Sequence, residues 1–360
     1  GAAIGLGKAL CLKRDLKLVA VPTTYSGTER TSVYGIRVSG EKKTGRDERV
    51  RPSLVVYDPC LSVGLPVKLT VQSLVNSMAQ VVSAMSTGSV PTTGEFAEVL
   101  DNLWKSIQAL AERPDDLSLR ELALVSSGRA GTAIDKGTLG AQHAMAHAIG
   151  GRFNLEHSAV HSVVLPSFLA HLRREHPEMV ESIDQACRLP ETEAAIYDRL
   201  RQVGAVVSLQ ELGVSRNDIR SLLDDRETLP SDAVWDAYYG IRPSAGGIMD
   251  RRDGEPTCLR VGDPITARFV VLALHGRGAN VGRMLRDVRG ALKNPDSVAY
   301  ILPQATDCVW YPKPYSTPLA EQGAYLEQAL LRVQGLLDEL EETVGLDRVV
   351  LFGFSQGACL

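Results

Sequence analysis

The sequence predicts an α/β segment, then an all-helical domain, then a second α/β segment. Three observations carry that expectation. Short apolar runs bounded by turn residues, at 16–21 and 53–57, read as strands. From residue 67 to about 240 the apolar spacing is helical, with no strong strand pattern. Strand signals return at 268–274, 298–302 and 349–352 with helical stretches between them, the alternation of a parallel, doubly wound sheet.

In the first segment, residues 3–12 read as a helix after a glycine turn. The run 22–27 (PTTYSG) is a loop at the carboxyl end of the first strand. Gly40 and the charged run 41–51 read as an exposed hairpin or loop, and Asp58-Pro59 stops the second strand. The middle segment offers helices at 71–85, 97–111, 117–127, 141–149, 159–175, 191–204 and 216–223. A stretch rich in glycine and charge with weak periodicity follows and reads as a linker. The expected organisation is 1–65 partial α/β domain, 66–245 helical domain, 246–263 linker and 264–360 second α/β domain.

Bulk composition narrows the function classes. The 360 residues suit two or three domains. Hydrophobic residues at 44% and charged residues at 23% allow sizeable cores. A formal net charge of -4 gives no basic field for nucleic acid or an anionic membrane. No apolar run reaches the roughly 18 residues a membrane span needs. The six cysteines are scattered without a C-x-x-C pair, which suggests neither zinc knuckle nor disulfide framework. A reduced, cytoplasmic setting is expected, with both ends lying inside a longer protein.

Two constellations carry chemistry. His143 and His147 stand four apart, on one face of a helix. His157 follows a Gly-Gly break and a short loop that can return a third imidazole to the same pocket. Three imidazoles suit a metal or a proton transfer; they also occur as ordinary polar groups at a helix end.

The segments PTTYSGTERTSVYGI, RPSLVVYDPCLSVGLP and HAMAHAIGGRFNLEHSAVHSVVLP, in that order, resemble the iron-containing alcohol dehydrogenase superfamily, and its maleylacetate reductase branch most closely. The likeness extends over about residues 1–245. It implies the second half of a Rossmann-like nucleotide domain at 1–65 and a helical dehydrogenase domain at 66–245, with a possible homodimer as the assembly. His143 and His157 match two of the family's metal-ligating histidines, and His147 matches the histidine placed near the nicotinamide. The family's other two ligands, an Asp and a His, are replaced by Asn76 and Gln80. Neutral carboxamides are poor ligands for Zn²⁺ or Fe²⁺, so a metal is expected to be absent. The resemblance implies NADH or NADPH as cofactor, with Gly1, Lys8, Thr23, Thr24 and Gly27 against its diphosphate and nicotinamide. It implies reduction of maleylacetate to 3-oxoadipate in aromatic-compound degradation, with His143, His147 and His157 as acid or electrostatic groups. Arg30, Arg51 and Arg152 are candidates for holding a dianionic substrate.

Near the chain's end Gly353-Phe354-Ser355-Gln356-Gly357 follows the strand RVVLF. This is G-x-S-x-G in a strand–turn–helix setting. His275-Gly276-Arg277-Gly278 follows another strand, and the backbone N–H groups of Arg277 and Gln356 could form an oxyanion hole. LALHGRGAN, LPQATDCVWYP and LFGFSQGACL resemble the phospholipase/carboxylesterase family of α/β-hydrolases, which implies the N-terminal half of an α/β-hydrolase sheet with Ser355 as nucleophile. It would place Trp310 and Tyr311 near an acyl pocket. That family's acid and base follow the nucleophile and have no counterpart here, so no ester hydrolysis is expected from these 360 residues. A second reading keeps the front as a degenerate dehydrogenase scaffold and makes ester hydrolysis the full-length protein's only activity.

Overall fold

The computed structural model describes residues 2–38, 41–138, 140–243, 247–314 and 316–360. They divide into two compact units. The first is Gly1–Val214 with Leu222–Pro230, and the second is Ser215–Ser221 with Ser231–Leu360. No helix among the described residues is long and apolar enough to cross a membrane.

The first unit opens with helix α1 (Ala2–Lys13), strand β1 (Val19–Ala20), a hairpin of β2 (Val33–Val38) and β3 (Glu41–Arg46), and β4 (Leu54–Val55). β1 and β4 pair in parallel, Val19 with Leu54 and Ala20 with Val55. The hairpin runs antiparallel from Val33 opposite Arg46 to Val38 opposite Glu41, so the charged run forms a β-ribbon.

Among the described residues seven helices follow: α2 (Val67–Ser86), α3 (Glu95–Glu112), α4 (Leu117–Lys136), α5 (Ala141–Arg152), α6 (His157–Glu175), α7 (Pro177–Cys187) and α8 (Thr192–Gln202). α2 is buried at every position from Thr70 to Met85. A helix buried all round is the centre of a bundle. Its polar residues Ser73, Asn76, Ser77, Gln80 and Ser83 therefore face packed neighbours rather than water. α3 shows ordinary amphipathic spacing, burying Phe96, Val99, Leu100, Leu103, Ile107 and Leu110. Each such side chain stabilises the fold by about 1.5–3 kcal/mol before entropy is charged against it. Asp116 caps α4 by accepting from the Ser118 and Leu119 N–H groups, and Glu156 caps α6 through Ser158 and Ala159.

After α9 (Arg216–Asp224) comes α10 (Ser231–Tyr239), and with it the second unit's sheet. Its strands are β5 (Gly247–Arg252), β6 (Glu255–Val261), β7 (Phe269–Leu274), β8 (Val298–Pro303) and β9 (Val349–Gly353), in the order β5-β6-β8-β7-β9. The β7, β8 and β9 pairings are parallel; β6 runs antiparallel to both β5 and β8. The connections include α11 (Val281–Ala291), α12 (Leu319–Gln322) and α13 (Ala324–Thr343), and α14 (Gln356–Cys359) follows β9. Val270, Leu272, Leu274, Ala299, Ile301, Trp310, Tyr311, Val333 and Leu340 share the core.

The sheet corrects the expected linker at 246–263. Gly247–Arg252 and Glu255–Val261 are paired strands, and β6 lies inside the sheet against β8. Asp253 and Gly254 turn the chain with φ of 52° and 80°. That is the Asp-Gly signal of a tight hairpin. Arg–carboxylate pairs explain the charge: Arg260 reaches Asp250 and Glu339, and Arg251 reaches Asp236. The expected helical domain to 245 also ends differently, because α10 belongs with the second unit. Tyr239 Oη on α10 donates to Glu255 on β6 at 2.6 Å.

Candidate functional site

In the first unit the loop after β1 is fixed from below by α2 and α4. Ser77 Oγ donates to the Tyr25 carbonyl at 2.7 Å, and Gln80 Nε2 donates to the Ser26 carbonyl at 2.7 Å. Fully buried Arg120 donates to Tyr25 Oη at 3.0 Å and to the Pro114 carbonyl at 2.8 Å, with weaker contacts to Thr70, Val63 and Leu65. Gly27 sits at φ 69°, and a Cβ there would stand 2.6 Å from the Ser127 carbonyl and 2.7 Å from Gln80 Oε1. Only glycine fits this approach. Asn76 Oδ1 and Gln80 Oε1 are buried without a hydrogen-bond partner among the described residues.

Gln80 thus has a positioning role that its place in a degenerate ligand set did not suggest: it ties the loop to the bundle. Thr23, at the carboxyl end of β1, is exposed and Thr24 half-buried. Gly1 lies outside the described residues.

Lys8, considered for a cofactor phosphate, is committed inside the fold. It is buried, and its ammonium donates to the Thr31 carbonyl, Thr31 Oγ1 and the Val33 carbonyl at 2.7–2.9 Å. Those bonds use all three of its donors. Burial lowers its pKa to about 8, against the opposing pull of Asp135 and Glu29.

The histidines do converge. α5 carries His143 and His147; α6 carries His157 at its start and His161 one turn on. Ring centroids lie 5.9 Å apart for His143–His147, 4.6 Å for His143–His161, 5.7 Å for His147–His157 and 4.4 Å for His157–His161. His161 is the member that sequence reasoning passed over. It was legible as a second i, i+4 pair, His157–His161, matching His143–His147 on the preceding helix. His161 is fully buried and lies 3.4 Å from Gln142 Nε2, whereas His157 is exposed and His147 intermediate. The cluster therefore has one solvent-facing side. Burial of this kind suits imidazoles that hold a proton or a cation at a defined place.

Of the three arginines considered for anion binding, two are engaged. Arg51 pairs with Glu48 and with Asp135, at 2.7 and 2.6 Å. Arg152 pairs with Asp225 at 2.5 Å. Arg30 is exposed and makes no ion pair among the described residues.

In the second unit Ser355 is exposed between β9 and α14, with φ 52° and ψ −117°. A serine held there costs about 1–3 kcal/mol and persists only where its surroundings impose it, as they do here. A Cβ on Gly353 would stand 2.6 Å from Ala358 Cα, and one on Gly357 would overlap the Leu274 carbonyl. A Cβ on Gly276 would stand 3.3 Å from Ser355 Cβ, which puts the loop after β7 beside the serine. The Arg277 side chain donates to the Tyr311, Pro312 and Lys313 carbonyls, and the Gln356 side chain bonds Trp310 N–H and the Tyr311 carbonyl. Both hold the 310–313 segment in place, and Trp310 and Tyr311 are buried core residues. His275 is committed too. Its Nδ1 donates to the Gly276 carbonyl and its Nε2 accepts from the Ala305 N–H, while burial lowers its pKa to about 4.

Comparison with known proteins places residues 70–227 in a match to the Fe-containing alcohol dehydrogenase family, C-terminal. The chain is 34% identical over 258 residues to a maleylacetate reductase of Burkholderia cepacia, covering 68% of this chain and 73% of that protein. It is 35% identical over 259 residues to one of Pseudomonas aeruginosa, covering 68% and 74%. Among solved structures, the maleylacetate reductase of Agrobacterium tumefaciens superposes with a TM-score of 0.61 at 27% identity, covering 68% of this chain and 73% of that one.

Proposed function

The chain belongs to the Fe-containing alcohol dehydrogenase family, and from that premise we propose that its first unit reduces maleylacetate to 3-oxoadipate with NADH or NADPH. Sequence likeness to maleylacetate reductases over 68% of the chain supports this reading. The observation that carries it is the meeting of four imidazoles from α5 and α6 in one cluster.

The family's metal fits poorly here. Of the positions that would hold it, Asn76 and Gln80 present carboxamides, and the Gln80 amide nitrogen already holds the Ser26 carbonyl. Such a donor set lacks both the anion and one imidazole that a tight site needs. Reduction of a C=C bond conjugated to a ketone suits this departure. Charge develops on the ketone oxygen as an enolate, which a hydrogen bond or proton from imidazole can stabilise.

A nicotinamide cofactor, which supplies the hydride when bound, suits the carboxyl ends of parallel β1 and β4, where Thr23 is exposed. His147 holds the proton at the substrate oxygen, His143 stands behind it, and His157 faces the solvent side. Arg30, unpaired among the described residues, takes a substrate carboxylate.

The experiment is maleylacetate-dependent loss of NADH and NADPH absorbance in buffer containing EDTA. Turnover with one nucleotide is expected, falling by roughly 10²–10⁴ in His147→Ala. A folded protein with no turnover on either nucleotide would overturn the reading and favour a degenerate scaffold.

For the second unit we propose a serine-hydrolase-like module of the α/β-hydrolase class. The sheet order with its single antiparallel β6, the positive φ of Ser355 and the adjacent Gly276 loop support it. His275 is not its base, since its Nδ1 is bonded to the Gly276 carbonyl and its Nε2 to the Ala305 N–H beyond β8.

A further inference from the structure

We propose that His147, His157 and His161 form a capture site for a divalent transition cation, and that occupation of this site blocks the reductase rather than serving it. The site is not the Asn76–Gln80–His143–His157 set. The ligand-capable nitrogens of the three imidazoles lie within 4.8 Å of one another. Zinc–nitrogen bonds of about 2.0–2.1 Å put tetrahedral ligand atoms about 3.4 Å apart. Closing the triad onto a cation thus needs imidazole rotations of an ångström or so, within reach of side-chain torsions.

Ligand type selects the cation. Three imidazole ligands, with no carboxylate grouped with them among the described residues, suit Zn²⁺, Co²⁺, Ni²⁺ or Cu²⁺ over Mg²⁺ or Ca²⁺. The gradient of burial fits as well: His161 is buried, His147 intermediate and His157 exposed. A cation reaches the triad from the His157 side and keeps a solvent-facing fourth position. His161 also has an outer partner. Gln142 Nε2 lies 3.4 Å from its Nδ1, while Gln142 Oε1 is buried with no hydrogen-bond partner among the described residues. Turning that carboxamide over lets Oε1 accept from Nδ1–H and leaves the Nε2 lone pair for the metal, the usual arrangement around a ligating histidine. His143, though 4.6 Å from His161 by centroid, is not in the triad.

The consequence for activity rests on the proposed reductase reading. A cation bound to His147 takes the lone pair and fixes the orientation of the imidazole assigned to the substrate oxygen.

The test separates binding from activity. The chain, stripped with EDTA, is dialysed against Zn²⁺ or Co²⁺ alone, and retained metal is measured by elemental analysis. One equivalent is expected, with the visible absorption of tetrahedral Co²⁺. His161→Ala should weaken retention at least about 100-fold, beyond the roughly 10–100-fold typical of losing an outer-shell partner. Asn76→Ala should retain metal as the unaltered chain does. Circular dichroism melts verify that each variant folds. On the unaltered protein, Zn²⁺ should protect His157 from carbethoxylation, read by peptide mass. No stoichiometric metal, or loss in Asn76→Ala with retention in His161→Ala, overturns the site. Zn²⁺ should also inhibit maleylacetate reduction over its binding range, reversibly with EDTA. Binding without inhibition overturns the blocking role, and the dialysis result stands whether or not the reductase reading does.

Discussion

At the residue scale, neighbours decide what a side chain can offer. Lys8, Arg51 and Arg152 read alike in sequence as cations near a dinucleotide or a dianion. The fold spends Lys8 on two carbonyls and a hydroxyl, Arg51 on Glu48 and Asp135, and Arg152 on Asp225. Arg30 is left with its charge exposed. A charge-assisted hydrogen bond to a carboxylate contributes about 1.5–3 kcal/mol. Arg30→Ala should therefore raise the KM for maleylacetate by about 10–100-fold while leaving the nucleotide KM near its original value. Equal loss on both would remove Arg30 from the substrate.

At the element scale, the loop after β1 shows how a bundle positions a strand end. Two short strands alone would leave Pro22–Gly27 loosely held. Ser77 and Gln80 on α2 and Arg120 on α4 fix it instead, and the Gly27 backbone passes within contact of Ser127 and Gly131. Gly27→Ala needs both an unfavoured positive φ and displacement of the Ser127 carbonyl. It should cost about 1–3 kcal/mol of stability, seen as a lowered urea midpoint, and should weaken nucleotide binding in fluorescence titration. A variant with unchanged midpoint would mean that this close approach does not hold in solution. The pair α5–α6 has the same logic: two i, i+4 histidine pairs, one per helix, become one cluster because the helices pack together.

At the scale of the whole molecule, the candidate residues divide between the two units: the imidazole cluster lies in the first and Ser355 in the second. Ser355 has a strained backbone and close glycines, but activation of a serine hydroxyl needs a base. The sequence has seven histidines, and His275 is the one that follows residue 176. It is buried, neutral and bonded at both nitrogens. These 360 residues should therefore turn over p-nitrophenyl esters no faster than buffer does, while NAD(P)H-dependent maleylacetate reduction proceeds. Ester turnover abolished by Ser355→Ala would show that another base serves this serine.

The sequence by itself determined the helical run of the middle segment, the strands 268–274, 298–302 and 349–352, and the G-x-S-x-G turn, because period and turn chemistry are local. The His143–His147 pair was legible for the same reason. The hairpin at 247–261 was also written locally, in Asp253-Gly254, but its charged residues masked it: Arg251 and Arg260 are tolerable on strands because carboxylates of α10, β5 and α13 meet them. Only the tertiary structure decided that the two histidine pairs meet, that Gln80 holds a loop, and that Lys8 is consumed inside the fold. Each of those outcomes depends on groups distant in the chain, such as Ser26 against Gln80 and Thr31 against Lys8. Hydrogen bonding of buried polar groups is settled by who packs beside them, and spacing along a sequence does not encode it.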